Sequence, residues 1–401
     1  MPVTSFDVAR VRGLYPTLGA SSAHLDGPFS TLSPESVNRA IIGALRVTPA
    51  QPGSRSPRSQ RGATSAAQAR AAVADLVGGR ADSVVLGTNQ ASMLLWFASL
   101  LAREWQLGDD IVVTRMDADV ARMPWTRAAR ATGTSVSWAE VDLESGELPA
   151  WQFERLITSH TRLVTVPLTN PATGTVPDVA TIAAMAHDRG ALVVVDASSA
   201  IPYLPIDLAT LGADLITLSA TTFGGPTVAA AVARPGLLGE IDRTGRGPLP
   251  QRLELGPLPI ELLDGVTAAV EHLAGLSEDA AGSRRERLVT SLSEAADYQR
   301  YLYEYVDDQL RAVPGVTVLG SERDRLPLLA FTMSGLDPSR VGEHLLRSGV
   351  SVWTGPSGIT ELMTAIGTDE MGGASFIGLM PHTTVAELDL LINALEALAR
   401  M

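Results

Sequence analysis

Residues 191–226 read ALVVVDASSAIPYLPIDLATLGADLITLSATTFGGP. Two short apolar runs stand out, ALVVVD at 191–196 and ADLITLS at 213–219, both with β-branched residues and a polar end. Continuous apolar runs of this length read as strands buried on both faces of a parallel sheet, because a half-exposed strand would alternate. The first run ends in Asp196, Ser198 and Ser199, the second in Ser219, Thr221 and Thr222. An open α/β sheet places its ligand at the carboxyl ends of its strands, so these small polar residues are candidates for a binding-site floor.

Working outward, strands alternate with helices from about residue 84 to residue 235: SVVLG, the turn Gly87–Ser92 opening helix 92–105, DIVVTRMD, VSWAEVD, RLVTVPLTN, then the two runs above. That alternation predicts a doubly wound, mostly parallel sheet. Upstream, DVARVRGLYPTLG is a short helix-like start. Ser33 is the expected N-cap, with Pro34 at the first helical position. Residues 47–62 (VTPAQPGSRSPRSQRG) lack periodicity and read as a surface loop whose Arg55, Arg58 and Arg61 would attract an anion. A helix is expected from Thr64 to Val77. Downstream, a long helix at 283–313 bridges to a smaller α+β unit of strand, strand, helix, strand, helix. The expected division is an N-terminal segment 1–20, a large domain 21–282 and a small C-terminal domain 283–401. His187 is read as a helix-end residue, and the tyrosines at 298, 301, 303 and 305 as packing and surface positions.

With 401 residues the chain can bury a large core, and 45% hydrophobic with 19% charged residues is ordinary for a globular protein. A net charge of −13 argues against general nucleic-acid or anionic-membrane binding. No apolar run reaches membrane-spanning length and the first residues, MPVTSFDVARVRG, are polar, so a cytoplasmic location is expected. There is no cysteine, which excludes disulfides, thiolate nucleophiles and Cys–metal sites. There is no lysine either: all 31 basic residues are arginine. No side chain here can form an imine with an aldehyde.

Around these residues the chain resembles the class V aminotransferases, the pyridoxal-phosphate (PLP) family that includes cysteine desulfurases. The family pattern V-D-G-A-Q, then S-G-H-K, then G-P, is matched by Asp196 and by Gly225-Pro226, with Thr222 at the lysine position and Thr221 at its neighbouring His. The phosphate-seating T-x-N-A-T-E corresponds to residues 87–92, which keeps Asn89 and places Gln90, Ala91 and Ser92 at the cofactor phosphate; the phosphate Thr is Ala91. Such a helix start offers N–H groups and a dipole to an anion. The motif E-H-H-(S/A)-N-x-x-P-W is anchored by Pro124-Trp125, but its two histidines are Ala118 and Asp119, so the ring that stacks on the pyridine is missing. Asn170 falls where the family has an Asn near the phenolic oxygen, and Gly174-Thr175 keeps a family G-T. The cross-dimer Thr is Pro257, the desulfurase Cys position falls at about Gly358, and the substrate-carboxylate Arg, set by IGLMPHTT at 377–384, is Phe376.

The resemblance implies a fold-type-I PLP-dependent transferase: a large domain with a mostly parallel, seven-stranded-type sheet and a small α+β C-terminal domain. It implies PLP as cofactor, touched by Gln90, Ala91, Ser92, Asn170, Asp196, Ser199, Ser219 and Thr221, with Asp196 on the pyridinium nitrogen. The ordinary alternative for Asp196 is a strand-end carboxylate bonded to nearby backbone. Losing the phosphate and stacking contacts removes two or three interactions of ~1–3 kcal/mol each, which takes micromolar binding towards millimolar. Covalent binding through lysine is impossible, and no confident catalytic residue remains. Three readings follow: a homodimeric pseudoenzyme kept for a protein partner or another small ligand, such as an anion; a lysine-independent enzyme holding PLP or pyridoxamine phosphate non-covalently, with Asp196 as anchor and Thr222 or a water moving the proton; or an unrelated hydrolase. For the last there is no nucleophile elbow and no metal-spaced cluster among the six histidines.

Overall fold

The structure is a computed structural model, and it describes residues 6–401 except 20, 21, 28, 30, 244 and 321–324. The first five residues of the expected N-terminal segment lie outside the described residues. Thirteen strands follow in chain order: β1 Ala23–His24, β2 Val84–Gly87, β3 Asp110–Thr114, β4 Ser135–Ala139, β5 Thr161–Pro167, β6 Leu192–Asp196, β7 Leu215–Ser219, β8 Ala229–Ala233, β9 Val316–Val318, β10 Leu328–Met333, β11 Val350–Ser351, β12 Trp353–Gly355 and β13 Ala374–Gly378. Seven of them form the central sheet in the order β2-β8-β7-β6-β5-β3-β4. Its pairs are parallel except where β8 lies antiparallel to β7 and β2.

Both faces of this sheet are covered, which is why its strands are apolar without a break. In β6, Val194 belongs to one core with Val85, Ile111, Val113 and Leu215, beneath helices Gln90–Leu101 and Asp119–Thr132. Val193 and Val195 point the other way, into a core shared with Val112, Val164, Ile216 and Leu218 and with helices Pro57–Val77, Val179–His187 and Ile260–Ala274. The strand period of two thus feeds two separate cores from one run of valines.

Helix Arg284–Ala312, 29 residues long, leads to the C-terminal unit. Ser283 accepts from the Glu286 N–H and the Glu286 carboxylate accepts from the Ser283 N–H, a reciprocal cap that marks the start. The small sheet runs β12-β13-β10-β9, antiparallel throughout, and β1 joins β11 in a separate parallel pair. His187 ends its helix and hydrogen-bonds Asp214 at 2.9 Å. Tyr298 and Tyr305 use their hydroxyls on the Thr383 carbonyl and on Asp389.

Three local expectations are corrected. The helix expected from Thr64 begins at Pro57, capped by the Ser56 hydroxyl, so residues 57–62 of the supposed loop 47–62 are helical. The buried face of its N-terminal part is built from small residues, Ser59, Gly62, Ser65, Ala66 and Ala69, which carry no apolar signal. Gly62 is required there, because a Cβ would lie 2.0 Å from the Ala50 carbonyl oxygen. Ser33 does not cap the helix Glu35–Val47; Pro34 holds the cap position, and the Ser33 hydroxyl donates to the Gly224 carbonyl. The small unit also has β13 and the helix Thr360–Ala365 beyond those expected, and the single strand expected over VSVW is two, β11 and β12, in different sheets.

A buried aromatic–imidazole group ties the N-terminus to both units. The Tyr15 hydroxyl pairs with His272 Nε2 at 2.8 Å, and the Tyr15 ring lies 4.6 Å from that of His382. Neither ring nitrogen of His382 has a hydrogen-bond partner. Burial lowers His272 to about 4; burial and then the Arg12 charge lower His382 to about 3. Both rings stay neutral in the folded chain while an unfolded chain takes up protons below its ordinary value of about 6.5. Folding therefore loses stability as pH falls from 6.5 towards those lowered values. In urea titrations across that window, His382→Gln should lose stability less steeply than the parent, by up to about 1.4 kcal/mol per pH unit. Parallel curves would show that His382 contributes nothing to acid sensitivity.

Candidate functional site

The carboxyl ends of β5, β6 and β7 and the turn after β3 surround a cavity of about 430 Å³. The chain steps from β3 outward to β4, then returns on the other side of β3 as β5. Such a reversal leaves a crevice above the strand ends, because the two connections diverge. Ala118, Asp119 and Val120 line it from one side and Pro167, Thr169, Asn170 and Pro171 from the other, with Ser357, Gly358 and Ile359 of the small unit above. Of the residues singled out in the sequence, Gln90, Asn170, Asp196, Ser199, Ser219, Thr221 and Thr222 line this cavity, whereas Ala91 and Ser92 do not.

Asp196 closes β6 and opens onto the cavity. Its Oδ1 accepts from Gln90 Nε2 (2.9 Å), the Ser198 N–H (3.1 Å) and the Ser198 hydroxyl (2.7 Å). Gln90 also donates to Thr217 Oγ1 at 3.2 Å, so its side chain clamps the strand ends. Burial raises the Asp196 carboxyl despite these donors. Behind it, Asp117 is fully enclosed, accepting from the Thr114 N–H and from the Thr114 and Thr165 hydroxyls. Burial, with a smaller contribution from the Asp196 charge, pushes Asp117 up to about 6. Sequence reasoning missed Asp117 and the Gln90 clamp. Asp117 follows a strand by three residues, which is a weak signal, and the clamp spans residues 90 and 196, which has none.

The remaining polar groups are largely engaged by the protein. Asn89 caps the helix Gln90–Leu101 by accepting the Ser92 N–H at 2.9 Å, which takes one of the donors an anion would use. Asn170 donates to the Met116 carbonyl (2.7 Å) and accepts the Ala172 N–H (2.8 Å). Ser219 and Thr221 share a hydroxyl–hydroxyl bond of 2.9 Å, and Thr222 donates to the Ser219 carbonyl at 2.9 Å. Thr222 sits in the short 3₁₀ turn Ala220–Phe223. That turn closes at Gly224 with φ +82°, where a Cβ would meet the Leu32 carbonyl and the Pro34 ring at 2.9 Å. Among the described residues, no arginine or histidine lines the cavity.

The small unit seals the top. Phe376 is fully buried on β13, and Phe29 stands edge-on to it at 5.2 Å while stacking on Trp353 at 5.1 Å. Phe29, not Phe376, reaches the cavity. Opposite, Asp119 fastens the loop 355–361 to the large unit: its N–H donates to the Gly358 carbonyl at 2.7 Å, and its Oδ2 accepts the Thr360 hydroxyl at 2.6 Å. Arg122 holds the other carboxylate oxygen at 2.5 Å and lies 3.7 Å from Glu361, which also pairs with Arg115. Both guanidinium groups lie over the Trp138 ring, at 4.4 and 5.3 Å. Arg55 and Arg61 are exposed, and Arg58, also exposed, donates to the Thr48 carbonyl.

Comparison with known proteins bears on this architecture. The sequence model of the family Aminotransferase class-V matches residues 23–391. The chain belongs to the class-V aminotransferase family. A relative from Mycobacterium tuberculosis, an uncharacterized protein, is 38% identical over 98% of this chain and all of its own length. A probable cysteine desulfurase from Mycolicibacterium paratuberculosis is 28% identical over 98% of this chain, which spans 58% of that longer protein. Among solved structures, the apo cysteine desulfurase of Thermococcus onnurineus superposes with a TM-score of 0.87, and the cysteine desulfurase CsdA of Escherichia coli with 0.83. Each is 22% identical and covered over 98% of both chains, which shows a shared fold-type-I architecture. PLP is the cofactor that this family implies. Among the described residues, no helix is long and apolar enough to cross a membrane, and no group of three or more His, Cys, Asp or Glu could hold a metal ion.

The Asp119 fastening is testable apart from any activity. Asp119→Ala removes the bond to Thr360 and the Arg122 partner together. Hydrogen exchange at the amides of 357–362 should then quicken by about ten- to a hundredfold, the range for a charged hydrogen bond of about 1.5–3 kcal/mol. Unchanged exchange there would mean that the loop is held by packing alone.

Proposed function

We propose that this class-V family member does not work as a Schiff-base enzyme and that it is a homodimeric binding scaffold whose cavity takes a ligand other than covalently held PLP. The observation that carries this reading is the complete lack of lysine and cysteine in 401 residues. The cavity supports it. A phosphate dianion would meet no cationic side chain in the lining, the Ser92 N–H is already engaged by Asn89, and Ala118 stands where a stacking ring is needed. The residues present do not fit the phosphorylated cofactor, so no catalytic step is derived through it. Thr222 has its hydroxyl proton committed to the Ser219 carbonyl, which leaves it poorly placed as a proton-transfer group. A second reading, a lysine-independent enzyme with non-covalent PLP or pyridoxamine phosphate, is favoured by one observation only: Asp196 lies on the cavity floor.

Incubation with PLP followed by borohydride and mass spectrometry decides between them. No internal adduct should form, since the N-terminal amine is the only primary amine present, and no aldimine absorption should develop. An adduct within the interior, or PLP that stays bound through gel filtration, would remove the scaffold reading.

The dimer rests on surface chemistry. Ile42, Leu45 and Val47 on the helix Glu35–Val47 are 48%, 54% and 43% exposed, and Leu255 in the loop 247–260 is 51% exposed. Apolar groups of this size gain from being covered by a second copy in a two-fold arrangement. Light scattering at micromolar concentration should give twice the chain mass of 42.2 kDa. Ile42→Asp combined with Leu45→Asp should halve it without changing the circular dichroism. A monomeric parent protein would defeat this part of the reading.

A further inference from the structure

The lining of the cavity specifies the charge and shape of what fits it, and the following rests on the reading that no imine-bound cofactor fills the space. We propose that the cavity binds a small protonated amine with an apolar body and no carboxylate or phosphate, its nitrogen held by Asp196 and its body against Phe29, Val120 and Ile359.

Charge is the first argument. Two carboxylates line the cavity, Asp119 and Asp196, and no cationic side chain does. Asp119 is neutralised in place, with Arg122 on one oxygen and Thr360 on the other. Asp196 is not: all three of its donors fall on Oδ1, all three are uncharged, and Oδ2 has no protein partner. Asp117 lies behind it and adds negative potential of the same sign. An anion entering this space is repelled and finds no counter-charge, whereas an ammonium group supplies the one that Asp196 lacks.

A second and independent observation is the Thr169 hydroxyl. Thr169 lines the cavity, is 4% exposed, and its Oγ1 has no hydrogen-bond partner. A buried hydroxyl without a partner is destabilising, and a polar ligand relieves that cost. Ser199 lines the same cavity and adds a second hydroxyl.

The third argument is shape. Phe29, Val120, Pro167, Pro171 and Ile359 give the remaining wall an apolar surface. Phe29 is fixed from behind by Phe376 and from the side by Trp353, so it presents a supported ring rather than a loose one. A carboxylate at that end would be desolvated against aromatic carbon with no guanidinium to receive it, which disfavours amino acids relative to simple amines. The volume, about 430 Å³, lies at the small end of ligand pockets.

The test uses the full-length protein and three probes of similar size: 2-phenylethylamine, 3-phenylpropan-1-ol and 3-phenylpropanoate, followed by calorimetry and ligand-observed NMR at pH 7. The amine should bind at least tenfold more tightly than the alcohol, and the acid more weakly than both. Asp196→Asn, which keeps the shape, should abolish the amine's preference and leave the alcohol unchanged. Phe29→Ala should weaken amine and alcohol together. The proposal is overturned if the acid matches the amine, if Asp196→Asn leaves the preference intact, or if none of the probes binds at millimolar concentration. Should the Asp196 variant fail to fold by circular dichroism, the parent's ranking of the three probes decides alone. A PLP titration in parallel keeps the two claims apart: tight PLP binding defeats the scaffold reading, while a protein indifferent to both PLP and the amine defeats only this inference.

Discussion

A carboxylate at the end of a strand buried on both faces has to be solvated by the protein itself. Asp196 is in that position, and the bonds that solvate it organise what surrounds it. Gln90 reaches across from the first turn of its helix to Asp196 and Thr217, which fixes the helix start against β6 and β7. Asn89 caps the same helix. Two groups at the helix end that an anionic ligand would use are therefore already engaged in holding the sheet and helix together. The same holds for Asn170, whose amide bridges the Met116 carbonyl and the Ala172 N–H.

The upper boundary of the cavity follows a different rule. There the large and small units meet through charge, with Asp119, Arg122, Arg115 and Glu361 in one network above Trp138. Networks that share partners hold better than isolated surface pairs, because ordering one side chain serves several contacts. The consequence is a loop held down at Gly358 and Thr360, at about the position where the resemblance puts the desulfurase cysteine. Floor and roof point to the same conclusion: this cavity is built to enclose.

Much of the fold was legible because its signals are local. LVVVD and LITLS can only be buried strands, and Ser283 with Glu286 marks the long helix to within a residue. What escaped is non-local or has an unusual composition. The first turns of the helix from Pro57 pack serine, glycine and alanine against their neighbours, so that part offers no apolar stripe to read. β13 is only five residues long, ASFIG, and directly follows the polar, glycine-rich stretch GTDEMGG at 367–373. At the site, residue types and positions were readable from the sequence, but partners were not. Nothing in the string says that Gln90 serves Asp196, that Asp119 serves Thr360, or that Phe29 screens Phe376.

The pairing of β1 with β11 has a temporal side. Ala23 and His24 lie beside Val350 and Ser351, roughly three hundred residues further along the chain. Residues 23 and 24 leave the ribosome long before their partners do. The N-terminal strand must wait, unpaired, until nearly the whole chain has been synthesised, while the central sheet between them can already condense. Long-range parallel pairs of this kind close late, because loop closure must precede any contact that rewards it. In this protein an early-made strand completes a late part of the fold, and β1 and β11 form the seam.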